Sequence, residues 1–211
     1  MSLLLKRNIV RNNDRSKKNM IIDISQEVFS CNVYPGDPKP EVCKLQSIED
    51  DELYNLSAFS MCAHNGTHVD APSHFLKNGK TIDQIGLEAF VGDCFVKNYD
   101  GYIDENEAKE ILRCAEEAGA KERILISGNA VVTEEAAEVF ARAKIKLLGN
   151  ESQTVGPEEA PMSVHLILLR AEVVLLEGIV LKDVPDGKYF LCAAPLNLAG
   201  CEGAPCRAFL M

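Results

Sequence analysis

The chain has 211 residues, a length that suits one ordinary domain, and its 46% hydrophobic and 26% charged residues are typical of a globular protein. The 22 lysines and arginines against 32 aspartates and glutamates give a net charge of -10, which argues against nucleic acid as a partner because its backbone is also negative. The eight cysteines include no CxxC pair, and no apolar run is long enough for a signal peptide or a membrane span, so we expect a cytoplasmic protein with free thiols and no membrane partner.

The beginning of the chain differs from the rest in charge. Its first eighteen residues contain the only basic cluster, which consists of Lys6, Arg7, Arg11, Arg15, Lys17 and Lys18. We interpret residues 1–19 as a mobile N-terminal extension. Because no linker divides the remainder, residues 20–211 are predicted to form a single domain.

The first part of this domain is predicted to contain no long helix. An apolar strand is expected at 21–24, and a turn at 34–38, where Pro35, Gly36 and Pro38 interrupt regular structure.

The middle of the chain alternates between strand and helix patterns. The first helix is predicted at 104–119, with Asp104 and Glu107 forming a capping box, and the second at 133–143 with Thr133 as its N-cap. The other elements in this region are a strand at 90–99, strands at 123–127 and 145–148, a helix at 161–170 and a strand at 173–176. This alternation indicates βαβ units and an α/β fold with a partly parallel sheet, followed by strands and loops at 188–210.

The most informative segment contains three of the four histidines, His64, His68 and His74, within eleven residues. Gly66 and Pro72 argue against a helix, and in an extended chain alternate side chains share a face. His64, His68 and Asp70 are therefore predicted to converge as ligands of Zn²⁺, Mn²⁺ or Fe²⁺.

The neighbouring residues have predicted supporting roles. We expect Gly66 to lie on the ligand face and leave room for the ion, while Asn65 and Thr67 point away and hold the segment by hydrogen bonds. His74 follows Pro72, where the chain changes direction, so it is a candidate general base or acid. The alternative is that His74 simply packs beside Phe75.

Two later residues carry weaker signals. His165 lies in an apolar stretch and, taken alone, fits an ordinary core histidine. Glu177 ends a buried strand, where a carboxylate is costly unless it is paired or coordinated. A metal ion and a salt bridge to a lysine or arginine explain Glu177 equally well.

A family resemblance rests on these residues. The run from His64 to Phe75, H-N-G-T-H-V-D-A-P-S-H-F, resembles the H-x-G-T-H-x-D-A-P-x-H signature of the cyclase-like metal hydrolases, which include bacterial kynurenine formamidase and isatin hydrolase. The resemblance covers about residues 20–210. Its further matches lie at 23–25, 34–37, 176–179, 195–196 and 204–205.

The resemblance implies a site and a fold. It implies that His64, His68 and Asp70 bind metal, that His74 is the catalytic histidine, and that His165 and Glu177 complete the ligand set. It further implies one or two divalent ions, with zinc expected first and manganese second, and with Asp70 as a bridge when there are two. The implied fold is an α/β, swivelling β/β/α-type cyclase-like domain with a mixed sheet, assembled as a homodimer or homotetramer. Asn150 departs from the family, which often has an aspartate there.

The resulting functional prediction is a metal-dependent hydrolase of a small amide, formamide, or cyclic amide or ester, in which the ion activates water and His74 transfers protons. An arylformamidase-like enzyme is one member of that class. The alternatives are a non-catalytic metal- or ligand-binding protein that keeps the site, a structural metal site, and a cysteine nucleophile at Cys62.

Overall fold

The structure is a computed structural model that describes residues 20–211, so the extension predicted at 1–19 lies outside the described residues. The helices of the described part are α1 (Glu105–Glu117), α2 (Glu134–Ala143) and α3 (Met162–Arg170). Its strands are β1 (Ile22–Asp23), β2 (Glu41–Gln46), β3 (Leu56–Ser60), β4 (His68–Asp70), β5 (Val91–Asn98), β6 (Gly101–Ile103), β7 (Arg123–Ser127), β8 (Ala130–Val132), β9 (Leu147–Asn150), β10 (Val174–Glu177), β11 (Gly187–Cys192), β12 (Gly203–Pro205) and β13 (Phe209–Leu210).

Nine of these strands form one mixed sheet in the order β1-β13-β11-β5-β7-β9-β10-β4-β12. The four middle strands β5, β7, β9 and β10 run parallel, as the strand and helix alternation predicted. The flanking strands pair antiparallel, including β4 with both β10 and β12. Two small sheets, β2-β3 and β6-β8, stand apart from the large one.

The helices follow their sequence signals closely. Asp104 caps α1 and forms the predicted capping box with Glu107, Thr133 caps α2, and α3 starts directly after Pro161. These caps satisfy backbone N–H groups that the first helical turn leaves free. The three predicted helices are thereby confirmed.

Apolar residues form a core on each face of the large sheet. The helix side buries, among others, Phe140, Leu168 and Leu175, and the opposite side buries Val69 and Leu176. Each large apolar side chain that is fully buried contributes about 1.5–3 kcal/mol. Successive residues of β4 and β10 thus alternate between the two cores, which directs the polar residues of both strands to the helix side.

Two features differ from the prediction. The strand expected at 145–148 is β9, which begins two residues later because Lys144 ends α2 in a left-handed conformation and residues 145–146 form the connection. Neither the hairpin β2-β3 nor the small sheet β6-β8 carried a predicted element. No helix among residues 20–211 combines the length and the apolar character that crossing a membrane requires.

Candidate metal centre

Strand β4 lies between β10 and β12, and its register sets the geometry of the site. His68 lies opposite Glu177 on β10, and Asp70 lies opposite Gly203 on β12. Directly opposed residues of antiparallel strands project to the same face. The pairing therefore brings an imidazole and two carboxylates together on the helix side of the sheet.

A buried hydrogen-bond network holds the start of β4. The Thr67 hydroxyl donates to the Gly178 carbonyl oxygen at 2.7 Å and accepts from the Gln26 backbone N–H at 2.9 Å. The Gln26 side chain also donates to Gly178 at 2.8 Å, and Asn65 accepts from the Cys62 N–H at 2.8 Å. The predicted anchoring roles of Thr67 and Asn65 are confirmed.

The expected role of Gly66 is wrong. Its backbone is left-handed, with φ at +62°, and a Cβ atom there would approach the Cβ of Cys31 to 2.9 Å. The missing side chain thus makes room for residue 31 rather than for an ion. The His64 to Gly66 segment is a turn before β4, which is why strict alternation does not extend back to Gly66.

The inner part of the site consists of two buried carboxylates and two buried imidazoles. The Nε2 atom of His68 lies 3.4 Å from Asp70 and 3.5 Å from Glu177. His165, in the first turn of α3, places its Nε2 atom 3.3 Å from Glu177 and 3.7 Å from Asp70. These four side chains are each at most 4% exposed. The structure thereby brings His165 and Glu177 to the predicted ligands of β4.

The outer part contains the other two histidines. His64 places Nδ1 at 2.8 Å from the Oδ1 atom of Asp70, and His74 places Nε2 at 4.0 Å from Oδ2 of the same carboxylate. The rings of His64 and His74 lie 4.1 Å apart between centroids, and Phe75 packs edge-on against His74 at 4.5 Å. His74 therefore both packs beside Phe75 and faces the site.

The carboxylates control the basicity of the rings. Burial works to lower the pKa of His64, His68 and His165, but hydrogen bonds and charge from nearby carboxylates outweigh it: Asp70 and Glu202 for His64, and Asp70 and Glu177 for the other two. The pKa of His68 is raised to about 10. Burial dominates for His74 and lowers its pKa. The pKa of Asp70 is held well below its usual range because His64 and His68 outweigh burial. Positive charge in the centre therefore stabilises the two buried carboxylates.

A divalent ion would supply this positive charge. Two groups of possible ligand atoms are present, one from His64, Asp70 and His74 and one from His68, Asp70 and Glu177. Within each group the atoms lie within 4.8 Å of one another. The Oδ2 atom of Asp70 and the Nε2 atom of His64 are buried without a hydrogen-bond partner among the described residues. Asp70 belongs to both groups, which is the position a bridging ligand takes between two ions.

The contacts of Glu177 decide one alternative. Its Oε1 atom accepts the backbone N–H of Val155 at 2.8 Å, and within residues 20–211 no lysine or arginine lies at salt-bridge distance. The lysine or arginine partner considered from the sequence is therefore wrong for the described chain. A buried carboxylate with only imidazoles and one N–H around it is the arrangement that coordination relieves.

The structure also bears on Cys62 as a nucleophile and on Asn150, where the chain departs from the family. The Cys62 thiol lies against Asp37 at 3.7 Å, and burial raises its pKa, which disfavours the thiolate that a nucleophile needs. Asn150 donates to the Thr154 carbonyl at 2.8 Å at the end of β9, so its amide supports a turn beside the site without contacting the histidines.

The sequence did not point to Glu202. Its Oε1 atom lies 3.3 Å from Nε2 of His64, and its side chain is 46% exposed. A glutamate in a loop has no local signature, and only the pairing of β12 with β4 brings it to the site. The sole available signal was its place two residues before the matched segment at 204–205.

The mixed sheet and the buried cluster of histidines and carboxylates define an enzyme of the metal-dependent hydrolase class. Residues 22–157 match the model of the Cyclase family, described as putative cyclase, and the chain belongs to this family. It is 30% identical to a kynurenine formamidase of Salinibacter ruber (strain DSM 13855 / M31), over 90% of this chain and 96% of the relative. It is 29% identical to a kynurenine formamidase of Erythrobacter litoralis (strain HTCC2594), over 90% of this chain and 93% of the relative.

A solved structure confirms the fold. The protein titled as a potential metal-dependent hydrolase with cyclase activity superposes with a TM-score of 0.75 at 27% identity, covering 90% of this chain and 96% of that one. The predicted α/β cyclase-like fold with a mixed sheet is therefore confirmed, as is the predicted hydrolase class. A divalent metal is supported both by this relative and by the ligand groups around Asp70.

Proposed function

We propose that the protein hydrolyses the carbon–nitrogen bond of a small N-formyl aryl amide or a cyclic amide, with zinc held by His64, His68, Asp70, His165 and Glu177. The observation that carries the proposal is the Asp70 carboxylate, 1% exposed and shared by two groups of ligand atoms. Imidazole and carboxylate sets leave coordination positions open for water and substrate. Zinc is preferred to manganese because imidazoles form most of the set.

The reaction requires a nucleophile, a base and a polarised carbonyl. When bound, a divalent ion supplies positive charge that lowers the pKa of water and polarises the carbonyl. His74 is the base: its pKa is lowered by burial, so the ring is neutral and able to accept a proton near neutral pH. Its Nε2 atom faces Asp70, and its side chain is 27% exposed, open to substrate.

His74 transfers the proton in both steps of the proposed hydrolysis. The water oxygen forms a bond to the carbonyl carbon as Nε2 of His74 takes its proton. The carbon–nitrogen bond breaks as the same ring returns a proton to the leaving nitrogen. The products are an acid and an amine, or one chain with both groups when the amide is cyclic. Asp70 stays ionised throughout because of its low pKa, and it keeps negative charge beside the protonated ring.

The substrate class rests on the relatives and on one structural feature. Both curated relatives are kynurenine formamidases, and N-formylkynurenine is an aryl formamide. Phe75 packs against both His74 and His165, with centroid distances of 4.5 and 4.8 Å, so one aromatic surface lies beside the proposed base. An aromatic amide can stack on such a surface.

The test is hydrolysis of N-formylkynurenine and a panel of cyclic amides and lactones by zinc-loaded protein, before and after chelation. We expect turnover of at least one amide, loss of turnover on chelation, and recovery with zinc. His74→Ala should bind zinc and fail to turn over. Bound zinc with no turnover of any member would instead favour a non-catalytic binding protein.

The hairpin β2-β3 supports an additional proposal, that two copies of the chain associate. Eight large side chains on and beside it are 43% to 93% exposed: Phe29, Val42, Leu45, Ile48, Leu53, Tyr54, Leu56 and Phe59. A two-stranded ribbon is marginal alone. A contiguous exposed apolar patch larger than about a few hundred Å² marks an interaction site, and a stable dimer buries about 800 Å² on each partner.

A second copy suits this surface because a two-fold contact covers the same patch on both chains. We expect two or four chains per particle in light scattering at micromolar concentration. Phe59→Asp should give a monomer, whereas Tyr102→Asp, at an equally exposed position on β6, should not. A monomeric native protein would overturn the proposal.

We also propose a cytoplasmic location, because a reducing compartment keeps cysteines as free thiols. All eight cysteines are free thiols, including Cys94 and Cys206, whose pKa values burial raises to about 12. Thiol labelling of freshly isolated protein should count eight reactive groups after unfolding. A count lower by two or more would contradict the proposal.

A further inference from the structure

The histidines of the site differ in which ring nitrogen faces the carboxylates. His68 bonds the Gly66 carbonyl through Nδ1 at 2.9 Å, and His165 bonds the Pro161 carbonyl through Nδ1 at 2.8 Å. A carbonyl only accepts, so each Nδ1 carries the proton and each Nε2 is left free to coordinate. Both Nε2 atoms do face Asp70 and Glu177.

His64 has the opposite orientation. Its Nδ1 atom faces Asp70 at 2.8 Å, and its Nε2 atom faces Glu202 at 3.3 Å and has no hydrogen bond among the described residues. An ion bound beside Asp70 would therefore meet Nδ1 of this ring. The nitrogen on the far side then carries the proton and needs an acceptor.

We infer that Glu202 is a positioning residue that accepts the Nε2–H of His64 and thereby makes Nδ1 the ligand atom. The inference rests on the metal site of the proposed function. Metal-bound histidines usually give their second N–H to a carboxylate or carbonyl, which fixes the tautomer and the ring orientation. Glu202 has this role for His64, as the backbone carbonyls have for His68 and His165.

The backbone places Glu202 independently of its side chain. Its carbonyl accepts the Ala71 N–H at 2.8 Å, and the next residue, Gly203, pairs with Asp70 in the sheet. A Cβ atom at Gly203 would lie 2.8 Å from Cε1 of His64, so the ring packs directly on this backbone. The backbone at Glu202 and Gly203 thus forms one wall of the His64 ring.

The geometry separates positioning from direct coordination. Nδ1 and Nε2 lie on different sides of the imidazole, and Glu202 approaches the side away from Asp70. Its carboxylate is therefore aimed at the ring rather than at the ion beside Asp70.

The first experiment uses the native protein. Long-range proton–nitrogen NMR correlations of the zinc-loaded chain report the state of both ring nitrogens for its four histidines. We expect His64 alone to show a protonated Nε2 with zinc on Nδ1. Zinc on Nε2 of His64 would overturn the inference while leaving the metal site intact, whereas no zinc at any histidine would contradict the proposed function itself.

The second experiment measures zinc affinity by chelator competition, together with the visible spectrum after cobalt substitution. Glu202→Ala should lose about 10–100-fold in zinc affinity and change the cobalt spectrum, because His64 is no longer held. Glu202→Gln keeps an acceptor oxygen and should retain most of the affinity. Glu116→Ala, an exposed glutamate on α1, is the control and should match the native protein. Native affinity and spectrum in Glu202→Ala would overturn the inference.

Discussion

The metal centre and the hairpin β2-β3 lie next to each other in sequence and are opposite in construction. The centre is built on β4, which has a strand on each side and cores on both faces, so its inner carboxylates and imidazoles are buried. The hairpin ends at Ser60, four residues before His64, and its two strands are exposed on both faces. The inner residues of the metal centre are buried within the chain, whereas the hairpin leaves apolar surface exposed to solvent.

The two regions therefore differ in what stabilises them. In the centre, the register with β10 and β12 fixes the positions of the proposed ligands, which would reduce the ordering cost of coordination. The exposed apolar side chains of the hairpin would be buried only by contact with another molecule, and that contact would stabilise them. Changes in the centre should therefore alter metal binding, and changes in the hairpin should alter assembly.

The largest effect is expected for Asp70→Asn, which removes the charge shared by both ligand groups. Zinc affinity should fall by more than the ~10–100-fold that loss of an outer hydrogen-bond partner costs, and hydrolysis should be lost with it. Zinc titration followed by calorimetry measures the first, and the amide assay the second. Asp93→Asn, an exposed aspartate on β5, should behave as native; native zinc affinity in Asp70→Asn would remove the basis of the site.

A smaller effect is expected for Thr67→Val, which keeps the shape of a side chain 5% exposed but leaves the Gln26 N–H without its partner. An unsatisfied buried group costs about 1–3 kcal/mol, so urea unfolding should show a loss of that size along with weaker zinc binding. Thr154→Val is the matched control, because that hydroxyl is equally buried and has no partner among the described residues. Equal losses in the two variants would show that the Thr67 hydrogen bonds do not hold the site.

The Phe59→Asp variant changes the hairpin and leaves the metal centre as it is. If the hairpin joins two copies, the melting temperature of the native protein should rise with protein concentration, and this dependence should disappear in the variant. Zinc affinity per chain should be unchanged, since Phe59 is exposed on the hairpin, where its ring lies beside Phe29. A Phe59→Asp variant that loses zinc along with assembly would mean that the two regions are not independent.

The smallest effect concerns pH and lies outside both regions. Burial raises the pKa of Asp186, but hydrogen bonds from Lys97 and Asn98 outweigh it, so the pKa lies below the ordinary 3.8. A lowered pKa contributes stability above the unfolded value that is lost as the pH falls through the folded value. The native protein should therefore be slightly more stable than Asp186→Asn at pH 7, with the gap closing below about pH 4 in thermal melts. An unchanged gap at pH 3 would contradict this.

The sequence predicted the regions whose signals are local. The caps Asp104 and Thr133 specify α1 and α2, and the spacing of His64, His68 and Asp70 predicts their convergence without knowledge of the sheet. His165 and Glu177 lie about a hundred residues further along the chain, so the residues alone left them ambiguous and only the family resemblance assigned them. Whether these residues bind metal stays a prediction.

The remaining features depend on pairing that no local pattern encodes. Glu202 reaches His64 because β12 pairs with β4, and Gly66 faces Cys31 because the chain turns before β4 instead of continuing extended. The hairpin escaped prediction because neither face is buried, so its residues lack the clean alternation of a half-buried strand. The residues 47–55 that join its strands also contain no glycine to signal a tight turn.

The most direct test of the central claim is anomalous diffraction from crystals of the zinc-loaded protein, recorded on both sides of the zinc absorption edge. We expect one or two anomalous peaks beside Asp70, with a carboxylate oxygen about 2.0–2.2 Å from the ion and His68 or His64 completing the coordination. Zinc bound only elsewhere on the chain, with no peak at Asp70, would contradict the account.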